Sequence, residues 1–154
     1  MTPTQPVTAT AHRLGFAVKV LGEGGLPSHD TRRHSSGPHL GHSLENLRAI
    51  LDYLDRHEIG MYRMPTGLAP YASHPDMPQF HDQVRECAMQ LAQVGAVANV
   101  RGIRLSSHPG QYTVLNSDKP EVQAAAVAEL EVQAALLDAM GSGPRPSWSC
   151  TSAA

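Results

Sequence analysis

Three times in succession this chain runs through a short apolar segment, a loop and a segment of helical periodicity, and no other feature restricts its possible folds more. The first unit has an apolar run over 14–21, which reads as a buried strand, and a loop over 22–42. Its helix can be capped by Ser43 and carries Leu44, Leu47, Ile50, Leu51 and Leu54 on one stripe, with Gly60 beyond its end. The second unit has a strand over 61–64, a proline-rich loop and a helix over 80–94 whose face is Val84, Cys87, Ala88 and Leu91, with Gly95 near the stop. The third has a strand over 103–107, a polar loop and a helix opened by Asp118-Lys119-Pro120-Glu121, a capping-box pattern with an early proline. Val122, Ala126, Leu130, Ala134 and Leu137 mark the face of that last helix. Alternation of this kind predicts an α/β fold with a parallel sheet and right-handed crossovers.

Composition agrees with a folded domain. The 154 residues are 41% hydrophobic and 17% charged, unlike a chain disordered throughout. Two cysteines, Cys87 and Cys150, are too few for a disulfide framework or a four-thiolate zinc site. No secretion leader and no membrane-length apolar stretch is visible, so a soluble, cytoplasmic, monomeric protein without membrane contact is expected. A net charge of −2 says little about partners, because an enzyme that grips nucleic acid in one groove need not be basic overall. Residues 1–12, with Thr and Pro throughout, read as a disordered lead-in, 13–140 as the folded part, and 141–154, rich in Ser, Gly and Pro, as an unstructured tail.

Nine histidines are the outlier in this composition, and their positions matter because imidazole both binds metals and moves protons. His74 and His108 follow the second and third predicted strands, at the carboxyl ends where parallel α/β folds build their sites. Each precedes a proline, which biases its backbone toward extended conformations, so two imidazoles at neighbouring strand tips could converge on one metal. His29, His34, His39 and His42 share one long loop and are expected in solvent, as is His81 on a helix surface. His57, near a helix end, is expected to meet terminal carbonyls, and His12 belongs to the lead-in. Arg32 and Arg33 suit phosphates but also an ordinary solvated surface, and Arg63 and Arg104 lie within strands, where one pointing inward would need a carboxylate. Gln111 and Tyr112 set an amide beside an aromatic ring at a loop tip, a pair able to hydrogen-bond and stack against a base. Tyr112 also begins the apolar run 112–115, and by residue type alone it would simply pack.

Several stretches together resemble the UV damage endonuclease family. They are Leu14-Gly15-Phe16, Ser43-Leu44-Glu45-Asn46-Leu47, Met61-Tyr62-Arg63-Met64 with Leu68-Ala69-Pro70, Ser73-His74-Pro75 and, most specifically, the segment 104–117 containing His108-Pro109-Gly110-Gln111-Tyr112. The resemblance covers about residues 13–141. It implies a TIM (β/α)8 barrel of which this chain holds the N-terminal three βα units, truncated, related to endonuclease IV and xylose-isomerase-like enzymes. It further implies a cluster of divalent metal ions, manganese foremost, at the carboxyl end of the barrel. Such enzymes nick double-stranded DNA immediately 5′ to a UV photoproduct and start excision repair. By motif, His74 and His108 match metal-binding histidines, Gln111 and Tyr112 match the pair pushed into the duplex at the lesion, and Phe16 stands where the family commonly has Tyr near the damaged bases. Multiple divalent ions would activate water and hold the scissile phosphate, and deformability of the lesion would supply selectivity.

The same resemblance leaves further ligands unaccounted for, and the tail looks like the product of a frameshift or a misplaced gene end. Three units of eight cannot close a barrel, so this polypeptide alone is expected to be poorly stable and inactive. Two other readings share the strand-end histidines: an endonuclease IV-like or xylose-isomerase-like metal enzyme, and a non-catalytic vestigial DNA-binding fragment. The Gln111 and Tyr112 pair favours damage recognition over sugar chemistry.

Overall fold

The computed structural model describes residues 13–22 and 24–141; the lead-in 1–12 with His12, and the tail from 142 with Cys150, lie outside the described residues. Strands β1 (Gly15–Ala17), β2 (Met61–Arg63) and β3 (Arg104–Ser106) pair in parallel in the order β1-β2-β3. The register sets Phe16 beside Tyr62 and Tyr62 beside Leu105, so these three side chains share one face of the sheet. Helices cover that face: Tyr62 and Leu105 are buried, while Arg63 and Arg104 on the alternate positions are both exposed and call for no carboxylate. Gly15 is needed where it stands, because a Cβ there would come within 2.6 Å of the Met61 Cβ.

β1 is shorter than the run 14–21 predicts. Val18 adopts a φ of 63°, a left-handed conformation costly for a β-branched residue, and the chain leaves the sheet. Leu14 and Leu21, expected inside, are 74% and 84% exposed. The turn stays tied to β2, since the Val18 amide donates to the Arg63 carbonyl at 3.0 Å and the Tyr62 hydroxyl donates to the Val18 carbonyl at 2.9 Å. Burial pushes the Tyr62 phenol above its usual range.

α1 (Leu40–Arg56) carries the predicted leucine stripe, and Leu40, Leu47, Ile50, Leu51 and Leu54 are all fully buried. It starts three residues before Ser43, the cap expected from the sequence. His39 caps it instead, its Nδ1 accepting from the Gly41 amide at 3.1 Å, while Gln83 Oε1 accepts from the Leu40 amide at 2.7 Å. Ser43 is buried inside the helix, where its hydroxyl accepts from the Asp30 amide at 3.0 Å. The end is also local: the Ile59 amide reaches the Leu54 carbonyl and the Glu58 amide the Asp55 carbonyl, with Glu58 at a φ of 54°, so Glu58 rather than Gly60 occupies the left-handed capping position.

The helix predicted over 80–94 divides into α2 (Gln83–Glu86) and α3 (Ala88–Val100), with the buried Cys87 between them. Gly95 does not stop α3. It lies in its middle because a side chain there would overlap the Met140 carbonyl, so the glycine admits the end of α4 (Pro120–Ala139). α4 begins with Pro120 at its first turn but without the expected capping box: Lys119 is the cap and makes no side-chain bond, while Ser117 Oγ accepts from the Lys119 amide at 3.2 Å. Its buried residues are Ala126, Gln133 and Leu136, and Ala134, assigned to the inner face by spacing, is exposed. An alanine-rich helix offers no continuous bulky stripe; Leu136 joins the core with Val132 and Leu137 packed against it, and the polar Gln133 is buried beside them. α3 packs between α1 and α4, and no described helix is long and apolar enough to cross a membrane.

Candidate functional site

The two His-Pro loops leave the carboxyl ends of the adjacent strands β2 and β3 in the same tripeptide, Ser73-His74-Pro75 and Ser107-His108-Pro109. Between the first of them, the segment after the second, and the first half of α4 lies an open cleft of about 390 Å³ lined by Tyr71, Ser73, His74, Gly110, Tyr112 and Glu129 among others. The loop after β3 is fastened at its base: Thr66 Oγ1 donates to the His108 carbonyl at 3.3 Å and the Thr113 amide to the Gly110 carbonyl at 3.0 Å. Its tip is free. Tyr112 is 84% exposed and Gln111 is exposed, with Leu115 half in solvent, so packing of the apolar run does not claim the ring. An exposed aromatic beside an amide on an anchored loop can stack on a base and hydrogen-bond its edge.

Phe16 stands apart from this tip. It is half-buried on the helix-covered face, edge-on to Tyr62 at 5.5 Å and to Tyr53 at 6.3 Å between ring centroids.

The two histidines differ in which nitrogen is free. His108 Nδ1 donates to the Pro109 carbonyl at 2.6 Å, which leaves Nε2 with its lone pair, the arrangement a metal ligand needs. His74 is the reverse: its Nδ1 accepts from the Asp76 amide at 3.2 Å, so the neutral ring carries its proton on Nε2. The His74 carbonyl also accepts from His81 Nε2 at 2.8 Å. Among the described residues no group of three or more His, Cys, Asp or Glu could hold a metal ion. The expected divalent ions therefore do not fit the described residues by themselves.

Other expected groups are occupied. Asp30 accepts from Arg32 Nε at 2.9 Å and Nη2 at 2.6 Å and from the His39 amide at 3.0 Å, and the Arg32 guanidinium holds this carboxyl well below the usual range. Arg32 is thus engaged within its own loop, and Arg33 is exposed. His29, expected in solvent, is half-buried, and loss of water lowers its pKa. His39 works as a helix cap, His42 is exposed near Glu45, and His57 meets a terminal carbonyl through its amide, which donates to Tyr53 at 3.1 Å, while its ring lies against the Tyr53 ring at 4.2 Å.

Sequence reasoning missed Glu129 and Gln133. Ser73 Oγ donates to Glu129 Oε2 at 2.6 Å, Gln133 Nε2 donates to Glu129 Oε1 at 2.7 Å, and Ser107 Oγ donates to Gln133 Oε1. The repeated Ser-His-Pro and two long polar residues four apart on an otherwise alanine-rich helix were the available signal.

A family model described as UV-endonuclease UvdE matches residues 29–152, a span that takes in most of the segment after Gly141. The UV DNA damage endonuclease of Bacillus mycoides (strain KBAB4) is 33% identical over 99 residues, covering 64% of this chain and 31% of its own length. Those of Bacillus thuringiensis subsp. konkukian (strain 97-27) and Bacillus cereus (strain B4264) are 32% identical over the same extent. The crystal structure of SacUVDE superposes with a TM-score of 0.73 at 33% identity, covering 85% of this chain and 47% of that one. The chain thus spans about a third of the length of the curated relatives it matches.

Proposed function

The chain belongs to the UV-endonuclease UvdE family, and from that premise we propose that it recognises UV-damaged double-stranded DNA as part of a repair endonuclease. The observation that carries this reading is Tyr112, 84% exposed beside Gln111 on a loop whose base is fastened to Thr66, just beyond β2. Wedging the pair into a duplex costs a few kcal/mol of unstacking, and a photoproduct lowers that cost because its bases are already poorly paired. Selectivity then arises from the deformability of the damaged step rather than from base edges.

The three βα units form one side of a TIM barrel in this reading, and the nick falls 5′ to the lesion. A divalent ion, manganese foremost, is the proposed cofactor, with His108 as its best-prepared ligand and His74 as a second after its ring turns. The described residues do not by themselves make a metal site, and the 154-residue chain is expected to bind damaged DNA without nicking it.

Binding of a UV-irradiated duplex and its unirradiated twin, followed by fluorescence anisotropy, tests the reading. The wild-type chain should prefer the irradiated duplex by about tenfold, which corresponds to 1.4 kcal/mol, and Gln111→Ala/Tyr112→Ala should abolish that preference. Equal affinity of the wild type for both duplexes would overturn it.

A further inference from the structure

We propose that Glu129, acting with Gln133 one turn later on α4, is a positioning residue that sets the spacing between the two Ser-His-Pro loops and so between His74, His108 and the Gln111 and Tyr112 tip. The inference rests on the damage-recognition reading above for its effect on DNA, while the linkage itself stands on the geometry.

The hydrogen bonds form one unbroken path. Ser73 Oγ donates to one Glu129 oxygen, Gln133 Nε2 donates to the other, and the Gln133 carbonyl oxygen accepts from Ser107 Oγ. Donor directions are fixed, because an ionised carboxylate and an amide oxygen only accept, so both serine hydroxyls point at α4. Each serine immediately precedes a histidine. The spans also agree. Residues four apart on a helix lie about 5–6 Å apart, so one turn of α4 reaches Ser107, which directly follows β3, and Ser73, which stands in the loop ten residues beyond the end of β2.

Gln133 is 5% exposed, and no buried side-chain nitrogen or oxygen among the described residues lacks a partner. A polar path satisfied throughout in a poorly solvated place holds a narrow geometry, because any member that leaves strands the next. Glu129 also lines the cleft beside His74 and Tyr112, so the group that links the loops borders the surface they present. Packing alone does not call for a polar pair at these positions: the other residues that α4 turns inward are Ala126, Val132, Leu136 and Leu137.

Two readouts on the full chain test this. In amide hydrogen exchange, Glu129→Ala should speed exchange about tenfold in both 73–76 and 107–113, whereas Glu129→Gln, which can accept from Gln133 and donate to Ser73, should stay near wild type. In duplex binding, Ser73→Ala and Ser107→Ala should each reduce the preference for irradiated DNA with affinity for the undamaged duplex unchanged, and the double variant should lose no more than the worse single one, since both break one path. Faster exchange in only one loop after Glu129→Ala, an equal effect of Glu129→Gln, or additive losses for the two serines would overturn the proposal. If the wild type showed no preference for irradiated DNA, the functional reading would fall, and the exchange experiment would still decide the linkage.

Discussion

α1 and α4 are the two longest described helices, and they are held in different ways. α1 sinks a continuous stripe of leucine and isoleucine into a dry core, with Leu47, Ile50, Leu51 and Leu54 at 0% exposure. α4 is longer but buries only Ala126, Gln133 and Leu136, and Val127 on it stays 44% exposed. A polar path ties it to the two histidine loops, Gly95 admits its end, and Leu136 joins the core with Val132 and Leu137 packed against it. One helix supplies stability; the other supplies position at the carboxyl ends of the strands, where a site needs it.

Truncating a fully buried leucine of the first region breaks that contrast most severely. Leu47→Ala should cost about 3 kcal/mol in urea unfolding followed by circular dichroism, from lost transfer energy and the cavity left behind. Gly95→Ala strikes where the second region meets the rest: the new methyl would overlap the Met140 carbonyl, and forcing α4 away should cost about 2 kcal/mol.

Asp30→Ala tests the loop that starts α1. At neutral pH the loss of bonds from Arg32 and the His39 amide should cost about 1.5 kcal/mol. The native carboxyl titrates below its ordinary value of 3.8, so its contribution is complete above that value and fades as pH falls below it. The gap between wild type and variant should therefore close in acid. His29 adds an earlier sensitivity: its lowered pKa favours the neutral ring in the folded state, a contribution complete above its ordinary 6.5 and lost as pH falls below that value.

Glu58→Gly should raise stability by about 0.7 kcal/mol, because glycine takes the left-handed capping conformation at φ 54° without the cost a side chain bears. Gly102, at φ 66° after α3, already shows that solution within the molecule. Val127→Ala on the exposed side of α4 should change stability by less than about 0.5 kcal/mol, and a loss comparable to that of Leu47→Ala would erase the distinction between the helices.

The parallel sheet, a helical segment behind each strand and the inner stripe of α1 were legible in the sequence because short apolar runs alternate with bulky residues at helical spacing. The start of α1 was not, since groups outside the helix help to set it: Gln83 meets the Leu40 amide, and Asp30 meets His39 and Ser43. The rotation of α4 is hidden in the sequence because alanine marks no face, and a polar residue such as Gln133 gives no sign of being nearly buried. Residue type placed His74, His108, Gln111 and Tyr112 at strand ends, but it carried no information on which imidazole nitrogen is free or on Tyr112 standing out of the packing.

Insertion of the Gln111 and Tyr112 tip into a duplex is the central claim, and a fluorescent base reports it directly. With 2-aminopurine placed opposite a site-specific photoproduct, binding of the wild-type chain should raise emission severalfold as the base unstacks, and Gln111→Ala/Tyr112→Ala should bind with emission unchanged. An equal rise with the double variant, or no rise with saturating wild type, would contradict the account.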